Sequence, residues 1–339
     1  MRVTACGGAA ALGFLLAGTP VWSATDWIRA STDTGGPSWG SRGGLVWGLP
    51  AGKRPAGGPR GLLRLRYPTL PKGRCDLINF IAVEPVVKGA RGFSELETSG
   101  LDDVPGLRLW AEDPGADKAA EAPQGRLTRE ANGVESLTVR VRVEKFRNGA
   151  HVTLTATQRS DAPDELELAI RAEPDSAALD YCILTATMGN KARARLLWLK
   201  GETASSLKLY PEYKEAGFAP HRIFGLDCLA RMPDGGVLAA ITTDEADPAA
   251  VVPTPAHWRY AGFPVTQYWK KPAGAWRADL HAAVNGRYTY WMSRRPIPGG
   301  IAFENFELRE RFYDGQRFVF GITPKTPEEL GLAPGGSGG

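Results

Sequence analysis

Apolar and polar residues alternate with a period of two over most of this 339-residue chain. Leu137, Val139 and Val141, for example, share one face of an extended segment, and the polar residues between them share the other. The 41 glycines and 26 prolines interrupt the pattern at short intervals, as turns between strands do. Because no regular exchange of helical and strand segments accompanies it, the pattern predicts an all-β, antiparallel architecture.

The dipeptide Asn148-Gly149 marks the clearest hairpin. A two-residue turn at this point predicts that Val143 faces Leu154, which places apolar side chains opposite apolar ones. Two further local predictions are a strand over residues 206–210 and a surface loop over the alanine-rich stretch 118–130.

Four segments are expected along the chain. Residues 1–23 have the positive start, short apolar stretch and small residues of a cleaved export signal, and the apolar part is too short to span a bilayer. We therefore expect a secreted or periplasmic protein. Residues 24–60 are rich in glycine and proline and are expected to form a leading segment or lid. Residues 61–331 are expected to form one β-sandwich domain and residues 332–339 a flexible tail.

Cysteine spacing and motif content give no support for a cofactor. Cys75, Cys182 and Cys228 follow the predicted signal, so at most one disulfide forms. Cys182 stands in an apolar run and is expected to be a buried thiol. Zinc-type Cys/His spacings, phosphate-binding loops, dinucleotide fingerprints and nucleophile elbows are absent from the sequence. No cofactor is predicted, and no ligand spacing supports a structural calcium ion.

An aromatic and basic segment between Trp258 and Trp291 carries the strongest functional signal. Aromatic faces bind the apolar surfaces of rings, and guanidinium groups bind carboxylate or sulfate. The mixture predicts a groove for an anionic polymer of rings, although a sandwich core with charged edge strands would have the same composition. The export signal and the absence of nucleic-acid-binding motifs disfavour nucleic acid. The segment contains Trp258, Tyr260, Tyr268, Trp269, Trp276, Tyr288, Tyr290 and Trp291 among Arg259, Lys270, Lys271, Arg277 and Arg287.

A polar row occupies the next predicted strand. Alternation places Asn305, Glu307 and Arg309 on one face together with Phe303, opposite Phe306 and its apolar neighbours. Such a row can bind a carboxylate and hold a proton acceptor. A solvated strand with cross-strand ion pairs would show the same pattern.

Two of the four histidines are candidates for proton transfer. His221 lies in a predicted loop and His257 opens the aromatic and basic segment, and both can titrate near neutral pH. His151 and His281 lie in alternating strands and are typical of ordinary surface residues.

Several acids are candidate partners for Glu307. Glu84 ends a predicted strand, and Glu95 and Glu97 follow shortly after it. Two carboxylates about 5–9 Å apart would suit glycoside hydrolysis. The same acids are equally ordinary as charges at strand ends.

The closing pattern Phe303-Glu304-Asn305-Phe306-Glu307, followed by Tyr313-Asp314-Gly315-Gln316-Arg317-Phe318, resembles the end of galactose-mutarotase-type β-supersandwiches. The resemblance implies a sandwich of two large antiparallel sheets; a curved jelly roll is the structural alternative. That fold also serves as the major domain of several polysaccharide lyases and glycoside-processing enzymes. Mutarotases carry a histidine acid and a glutamate base near this end, which implies Glu307, or Glu304, as the base.

These patterns predict a secreted carbohydrate-active enzyme that acts on an acidic polysaccharide by β-elimination. His221 and Tyr268 are the expected proton-transfer residues, with Glu307 as the base if the enzyme is an aldose epimerase or glycoside hydrolase. A non-catalytic carbohydrate-binding or cell-envelope protein is the alternative. The expected partner is a polysaccharide or oligosaccharide, with no nucleic acid and no membrane. Substrate binding is expected from Arg222, Trp269, Arg287, Trp291, Asn305 and Arg309.

Overall fold

The strands of this chain assemble into two large sheets. The computed structural model describes residues 26–32, 36–50, 60–69, 75–115, 123–188, 192–244 and 264–332, with the backbone alone at 251–252 and 260–261. The predicted signal, His257 and Trp258 lie outside this part of the chain. None of the helices within these ranges is long and apolar enough to cross a bilayer.

The described residues form 23 strands and one short α-helix. The first twelve strands are β1 (Trp27–Ser31), β2 (Ser38–Ser41), β3 (Val46–Gly48), β4 (Leu62–Tyr67), β5 (Asp76–Val87), β6 (Ala90–Arg91), β7 (Leu109–Glu112), β8 (Arg126–Arg129), β9 (Glu135–Val143), β10 (Val152–Arg159), β11 (Ala162–Ala172) and β12 (Tyr181–Thr187). The remaining elements are β13 (Leu196–Leu199), β14 (Glu202–Ser205), α1 (Ser206–Leu209), β15 (Arg222–Gly225), β16 (Ala230–Arg231), β17 (Val237–Thr242), β18 (Val251–Val252), β19 (Tyr260–Ala261), β20 (Thr266–Lys271), β21 (His281–Arg287), β22 (Ala302–Arg309) and β23 (Gln316–Thr323). Two 3₁₀ turns, Leu226–Cys228 and Glu328–Leu330, complete the list.

Ten strands form the first sheet, in the order β1-β2-β3-β4-β5-β12-β22-β21-β15 with β6 beside β5. Eleven form the second, in the order β14-β13-β17-β20-β23-β11-β10-β9-β7 with β16 beside β17 and β8 beside β9. The paired strands are antiparallel. The predicted all-β antiparallel sandwich is confirmed, and each sheet alone exceeds the roughly eight strands of a whole jelly roll.

An apolar core fills the space between the two sheets. Trp269 on β20 is fully buried against Phe318 and Phe320 of β23, with ring centroids 6.2 and 4.8 Å away. Its indole Nε1 donates to the backbone carbonyl of Phe306 on β22 at 2.8 Å. A side chain of the second sheet is thereby hydrogen-bonded to a strand of the first, which orients β22 against the core.

The strands β9 and β10 form the predicted hairpin in a different register. Leu154 pairs with Val141, not with Val143. The register differs because a backbone hydrogen bond of 2.8 Å from Phe146 to Ala150 closes a loop longer than two residues. A shift of two residues keeps every side chain on its predicted face, so the buried and exposed sets are unchanged.

The described part of residues 24–60 belongs to the sandwich and does not stand apart as a leading segment or lid. The strands β1, β2 and β3 form one edge of the first sheet. Trp39 and Trp47 pair on neighbouring strands with ring centroids 4.9 Å apart, and both are buried in the core. Burying two large indole rings stabilises the packing of this segment against the rest of the sandwich. Leu332, the first residue of the expected tail, is also buried, against the second sheet.

Two local predictions are wrong. The predicted strand at 206–210 is helix α1, and the hydroxyl of Ser205 caps it by accepting from the backbone N–H of Leu207 at 3.2 Å. The predicted surface loop at 118–130 contains β8, which pairs with β9.

A buried ion pair connects the two sheets at one end of the sandwich. Lys271 on β20 and Glu310, which follows β22, have no exposed side-chain surface, and Nζ lies 2.5 Å from Oε1. Glu310 Oε2 also accepts from the backbone N–H of Arg277, and Lys271 donates to the carbonyl of Arg317, each at 2.6 Å. Both charges are therefore paired and hydrogen-bonded, as burial requires.

We expect Lys271→Met to lower the free energy of unfolding by about 3–5 kcal/mol, because Glu310 would keep a buried charge without its partner. The double variant Lys271→Met/Glu310→Leu should lose less than the single variant, since no isolated charge remains. Equilibrium urea unfolding measures both. Arg159→Met, which removes exposed pairs with Asp161 and Glu130, is the control and should change stability by less than about 1 kcal/mol. Equal losses in Lys271→Met and Arg159→Met would contradict the prediction.

Candidate active site

The candidate site lies on the outer face of the first sheet, over β5, β12 and β22. Phe306 and Leu308 of β22 point into the core, so Glu307 between them points the opposite way. Thr185 of β12 shares that outer face, because its two neighbours in the sequence belong to the core. Glu84 of β5 does so for the same reason, since Val83 is a core residue.

A β-bulge in β22 determines which side chains share this face. Asn305 pairs with Asn285 and Phe303 with Gly286, so Glu304 is an extra residue in the strand. The bulge turns Phe303 into the core, where regular alternation would have placed it beside Asn305 on the polar face. Asn285 stabilises the bulge, because its Oδ1 accepts from the backbone N–H of Asn305 at 3.2 Å. The predicted polar row therefore keeps its polar members and loses Phe303.

Three acids gather around Arg91 of β6, and together with Thr185 they form what we term the carboxylate cluster. Arg91 Nη2 forms an ion pair with Glu84 and lies 3.3 Å from Glu307 Oε1. Thr185 Oγ1 lies within hydrogen-bond distance of both acids, 3.1 Å from Glu84 Oε2. Glu95 is close enough for the charges of Arg91 and Glu307 to act on its pKa. Glu84 and Glu95, two of the three acids considered as partners for Glu307, thus lie close to it, and their part in any chemistry stays a hypothesis.

A histidine and a second arginine complete the site on its solvent side. Arg309 Nε donates to Glu307 Oε1 at 2.5 Å, and His221 Nε2 lies 3.7 Å from the same oxygen. His221 is also 3.5 Å from Nδ2 of Asn285. The Glu307 side chain is fully buried, whereas those of His221, Arg91 and Arg309 are 29%, 20% and 15% exposed. The side chains of His221, Arg91 and Arg309 therefore reach the surface in part, although Arg309 Nη2 and Arg91 Nε are buried, and the carboxylate behind them does not reach it.

Burial and neighbouring charges divide the ionisable groups into two kinds. Burial raises the pKa of Glu84 to about 8 and that of Glu95 to about 7, from an ordinary value of 4.5, although Arg91 opposes both shifts. Burial also raises the pKa of Glu307, but the two adjacent guanidinium groups outweigh it and the net shift is downward. Burial lowers the pKa of His221, against the opposing effect of Glu307.

This division suits proton transfer on an anionic molecule. A neutral imidazole can accept a proton, and the adjacent ionised carboxylate stabilises the imidazolium that forms. A carboxylic acid that stays protonated near neutral pH can donate a hydrogen bond or a proton. Glu95 Oε2 is buried and has no hydrogen-bond partner among the described residues, so it has capacity for one.

Tyr268, the predicted proton-transfer partner of His221, lies on the other sheet. Its neighbour Trp269 points into the core, so Tyr268 points to the outer face of the second sheet, and the sandwich separates it from Glu307. Its hydroxyl donates to Glu165 Oε1 at 2.9 Å, and burial raises its pKa. The predicted pairing of Tyr268 with His221 is therefore wrong, because adjacent residues of a strand face opposite sides.

Trp269 and Arg222 also do not face the site. Trp269 has no exposed surface, so no ring can stack on it. Arg222 is exposed but follows His221 on extended chain and faces the other way. Its guanidinium lies 5.7 Å from the ring of Tyr210, and its Nη2 lies 3.3 Å from the carbonyl of Leu209. Their predicted binding roles do not fit this geometry.

Arg287, Trp291 and Phe218 form an aromatic platform close to the site in sequence. The Arg287 guanidinium is buried and lies 5.0 Å from the Trp291 ring and 5.7 Å from the Phe218 ring. The two rings are 5.5 Å apart, and Phe218 is 42% exposed. Phe218, which lies three residues before His221 in the sequence, forms a β-bridge with Arg287.

The sequence patterns missed Arg91, Thr185 and Asn285. Each belongs to a different strand and carries no local motif, so only the pairing of strands brings it to the site. The sequence held one indication of Thr185 and Asn285 as functional residues, since each is a polar residue in a run of apolar ones on a buried strand. The described residues hold no group of three or more His, Cys, Asp or Glu side chains arranged for a metal ion, and the absence of a cofactor stays a prediction.

Comparison with known proteins assigns this chain to no family. No protein-family model and no curated protein matches its sequence. Among solved structures, the galactosidase domain of an α-galactosidase-sucrose kinase, AgaSK, is similar, with 6% sequence identity and a TM-score of 0.34. The match covers 85% of this chain and 42% of the matched one, so this chain spans less than half of that length. At this TM-score the likeness decides neither family nor activity, and the mutarotase-type resemblance stays a hypothesis.

The raised pKa of Glu84 predicts a pH-dependent effect of Glu84→Gln on stability. Wild-type Glu84 binds its proton more tightly when folded, so its stabilising contribution is complete below about pH 4.5 and is lost as the pH rises towards about 8. Glutamine cannot ionise, so the variant escapes this loss. We expect its unfolding free energy to match wild type near pH 5 and to exceed it increasingly up to pH 8, by urea unfolding at each pH. A constant difference would contradict the raised pKa.

Proposed function

We propose that this chain is an exported carbohydrate-active enzyme that cleaves an acidic polysaccharide by β-elimination. The observation that carries the proposal is a part-exposed His221 with a lowered pKa, 3.7 Å from the buried Glu307 that Arg91 and Arg309 also contact. One site thus offers a proton acceptor and anion-binding groups side by side, which an elimination next to a carboxylate requires.

The proposed reaction begins at C5 of a uronate residue. His221 accepts the C5 proton on Nδ1, because its Nε2 faces Glu307 and Asn285, while Arg309, with Arg91, binds the adjacent carboxylate and stabilises the charge that moves into it. The C4–O bond then breaks, a C4=C5 double bond forms, and the leaving oxygen takes a proton. Glu95 is the proposed donor of that proton, because a pKa of about 7 keeps it partly protonated at neutral pH.

The charge of the site supports an acidic substrate at and below neutral pH. At neutral pH Glu84 is largely protonated and Glu95 about half protonated, so the ionised Glu307 faces two guanidinium groups and the excess is positive; it grows as the pH falls. Above about pH 8 both additional acids carry charge and would repel a uronate. Export, inferred from residues 1–23, would place such an enzyme where polysaccharides occur.

The aromatic platform supports the alternative of a non-catalytic carbohydrate-binding protein. Phe218 and Trp291 offer ring surface near the site, and ring stacking needs no proton transfer. The two functions differ in what His221 does: it is essential to a lyase and incidental to a binding protein.

Incubation with polygalacturonate, alginate or hyaluronan, followed by the absorbance of the new C=C bond, tests the lyase. We expect His221→Gln to lower the rate by about 10²–10⁴-fold because the general base is lost. His151→Gln is the matched control, since that histidine pairs with Asp175 at 2.6 Å beside the second sheet, and its rate should equal wild type. No product from any polymer, with binding that Trp291→Ala weakens and His221→Gln leaves intact, would favour the binding protein. Hydrolysed or epimerised product without a double bond would favour the other chemistries.

The KM of the active substrate should rise as the pH increases from 7 to 9, because Glu84 and Glu95 become charged. Glu84→Gln removes one of the two charges, so its KM should rise less over the same interval. Initial rates at several substrate concentrations and pH values measure this. Parallel KM curves for both proteins would show that Glu84 does not act on the substrate through its charge.

A further inference from the structure

A concave site lies at the end of the sandwich, lined by residues other than those of the carboxylate cluster. Two connections build it, one between β20 and β21 and the other between β22 and β23. The cavity measures about 420 Å³, within the range of small-molecule pockets. We term it the end pocket, and it is lined by Gly274, Ala275, Trp276, Arg277, Tyr313, Gly315 and Arg317.

The walls of the end pocket combine aromatic surface with positive charge. Trp276 and Tyr313 are both part-buried, and the guanidinium of Arg231 lies 5.2 Å from the Trp276 ring. Arg277 and Arg317 are exposed, and the lining contains no acid. Arg317 has a distant partner, Glu167, at 3.9 Å.

The buried ion pair of Lys271 and Glu310 holds the two connections of the end pocket in position. Glu310 binds the backbone N–H of Arg277 and Lys271 binds the carbonyl of Arg317, so the pair holds both connections. The hydroxyl of Tyr313 donates to the carbonyl of Ala275 at 2.8 Å and joins the connections directly. These bonds join parts of the chain itself and hold the walls in place, and preorganised walls lower the entropic cost of binding.

We propose that the end pocket binds a small ring that bears a carboxylate. The ring would pack on Trp276 and Tyr313, and the carboxylate would pair with Arg277, whose guanidinium can form two parallel hydrogen bonds to it. A sugar acid and an aromatic acid share this chemistry. The inference does not rest on the lyase proposal, since none of the residues that line the end pocket belongs to the carboxylate cluster.

Isothermal titration of the full chain with galacturonate and with benzoate tests the proposal, with galactose and sulfate as partial ligands. We expect at least one of the two acids to bind saturably, and Arg277→Gln to weaken it about tenfold or more, as loss of a hydrogen bond to a charged group does. Trp276→Leu should also weaken it. Arg126→Gln changes an exposed arginine of β8, at an edge of the second sheet and away from its central strands β20 and β23; it is the matched control and should bind like wild type.

The outcomes separate this site from the candidate active site. Binding that survives His221→Gln and falls in Arg277→Gln supports the end pocket, whichever acid is preferred. Binding lost in His221→Gln alone would assign the ligand to the carboxylate cluster and overturn the proposal. So would the absence of saturation up to 20 mM, or equal affinity of Arg277→Gln and Arg126→Gln. Sulfate that binds as tightly as both acids would overturn the role of the ring.

Discussion

The pleat of β22 is the constraint on which the candidate site depends. Phe306 and Leu308 are held in the core, and Trp269 of the second sheet donates to the carbonyl of Phe306. Glu307 and Arg309 therefore face outward, because a slip of one residue would exchange the two faces of the strand. The bulge at Glu304 confines the irregularity to the part of β22 before these residues. The hydrogen bond from Trp269 and the buried side chains of Phe306 and Leu308 thus determine the direction of the Glu307 side chain.

Much of this arrangement follows from the sequence, and the reason is that alternation is a local property. The period of two in β9 and β10 predicted the buried faces correctly even though the hairpin register was off by two residues, since an even shift preserves the faces. The same reasoning placed Asn305, Glu307 and Arg309 on one side of β22. It failed at Phe303, because a bulge adds a residue without any local signal.

The remainder of the site could not be predicted, because it depends on which strands become neighbours. Tyr268 and Trp269 stand among basic and aromatic residues in the sequence, yet they face opposite sides of β20 and neither reaches the first sheet's outer face. Arg91 lies 216 residues from Glu307 in the sequence. The contact depends on the strand order, in which β6 with Arg91 lies beside β5, and only β12 separates β5 from β22. Composition along the chain indicated a binding surface, whereas the strand order decided its members.

Two buried groups of charges in this molecule differ in a way that bears on function. Lys271 and Glu310 balance each other and are fully hydrogen-bonded, so their role is accounted for by structure. The carboxylate cluster has three acids around Arg91, and burial leaves Glu84 and Glu95 with raised pKa values. Folding alone would favour apolar replacements at such positions, because three buried acids that share Arg91 cost more desolvation than one cation offsets. Perturbed acids beside a part-exposed histidine are typical of sites that move protons, and that imbalance is the physical reason to look for chemistry at Glu307 rather than at Lys271.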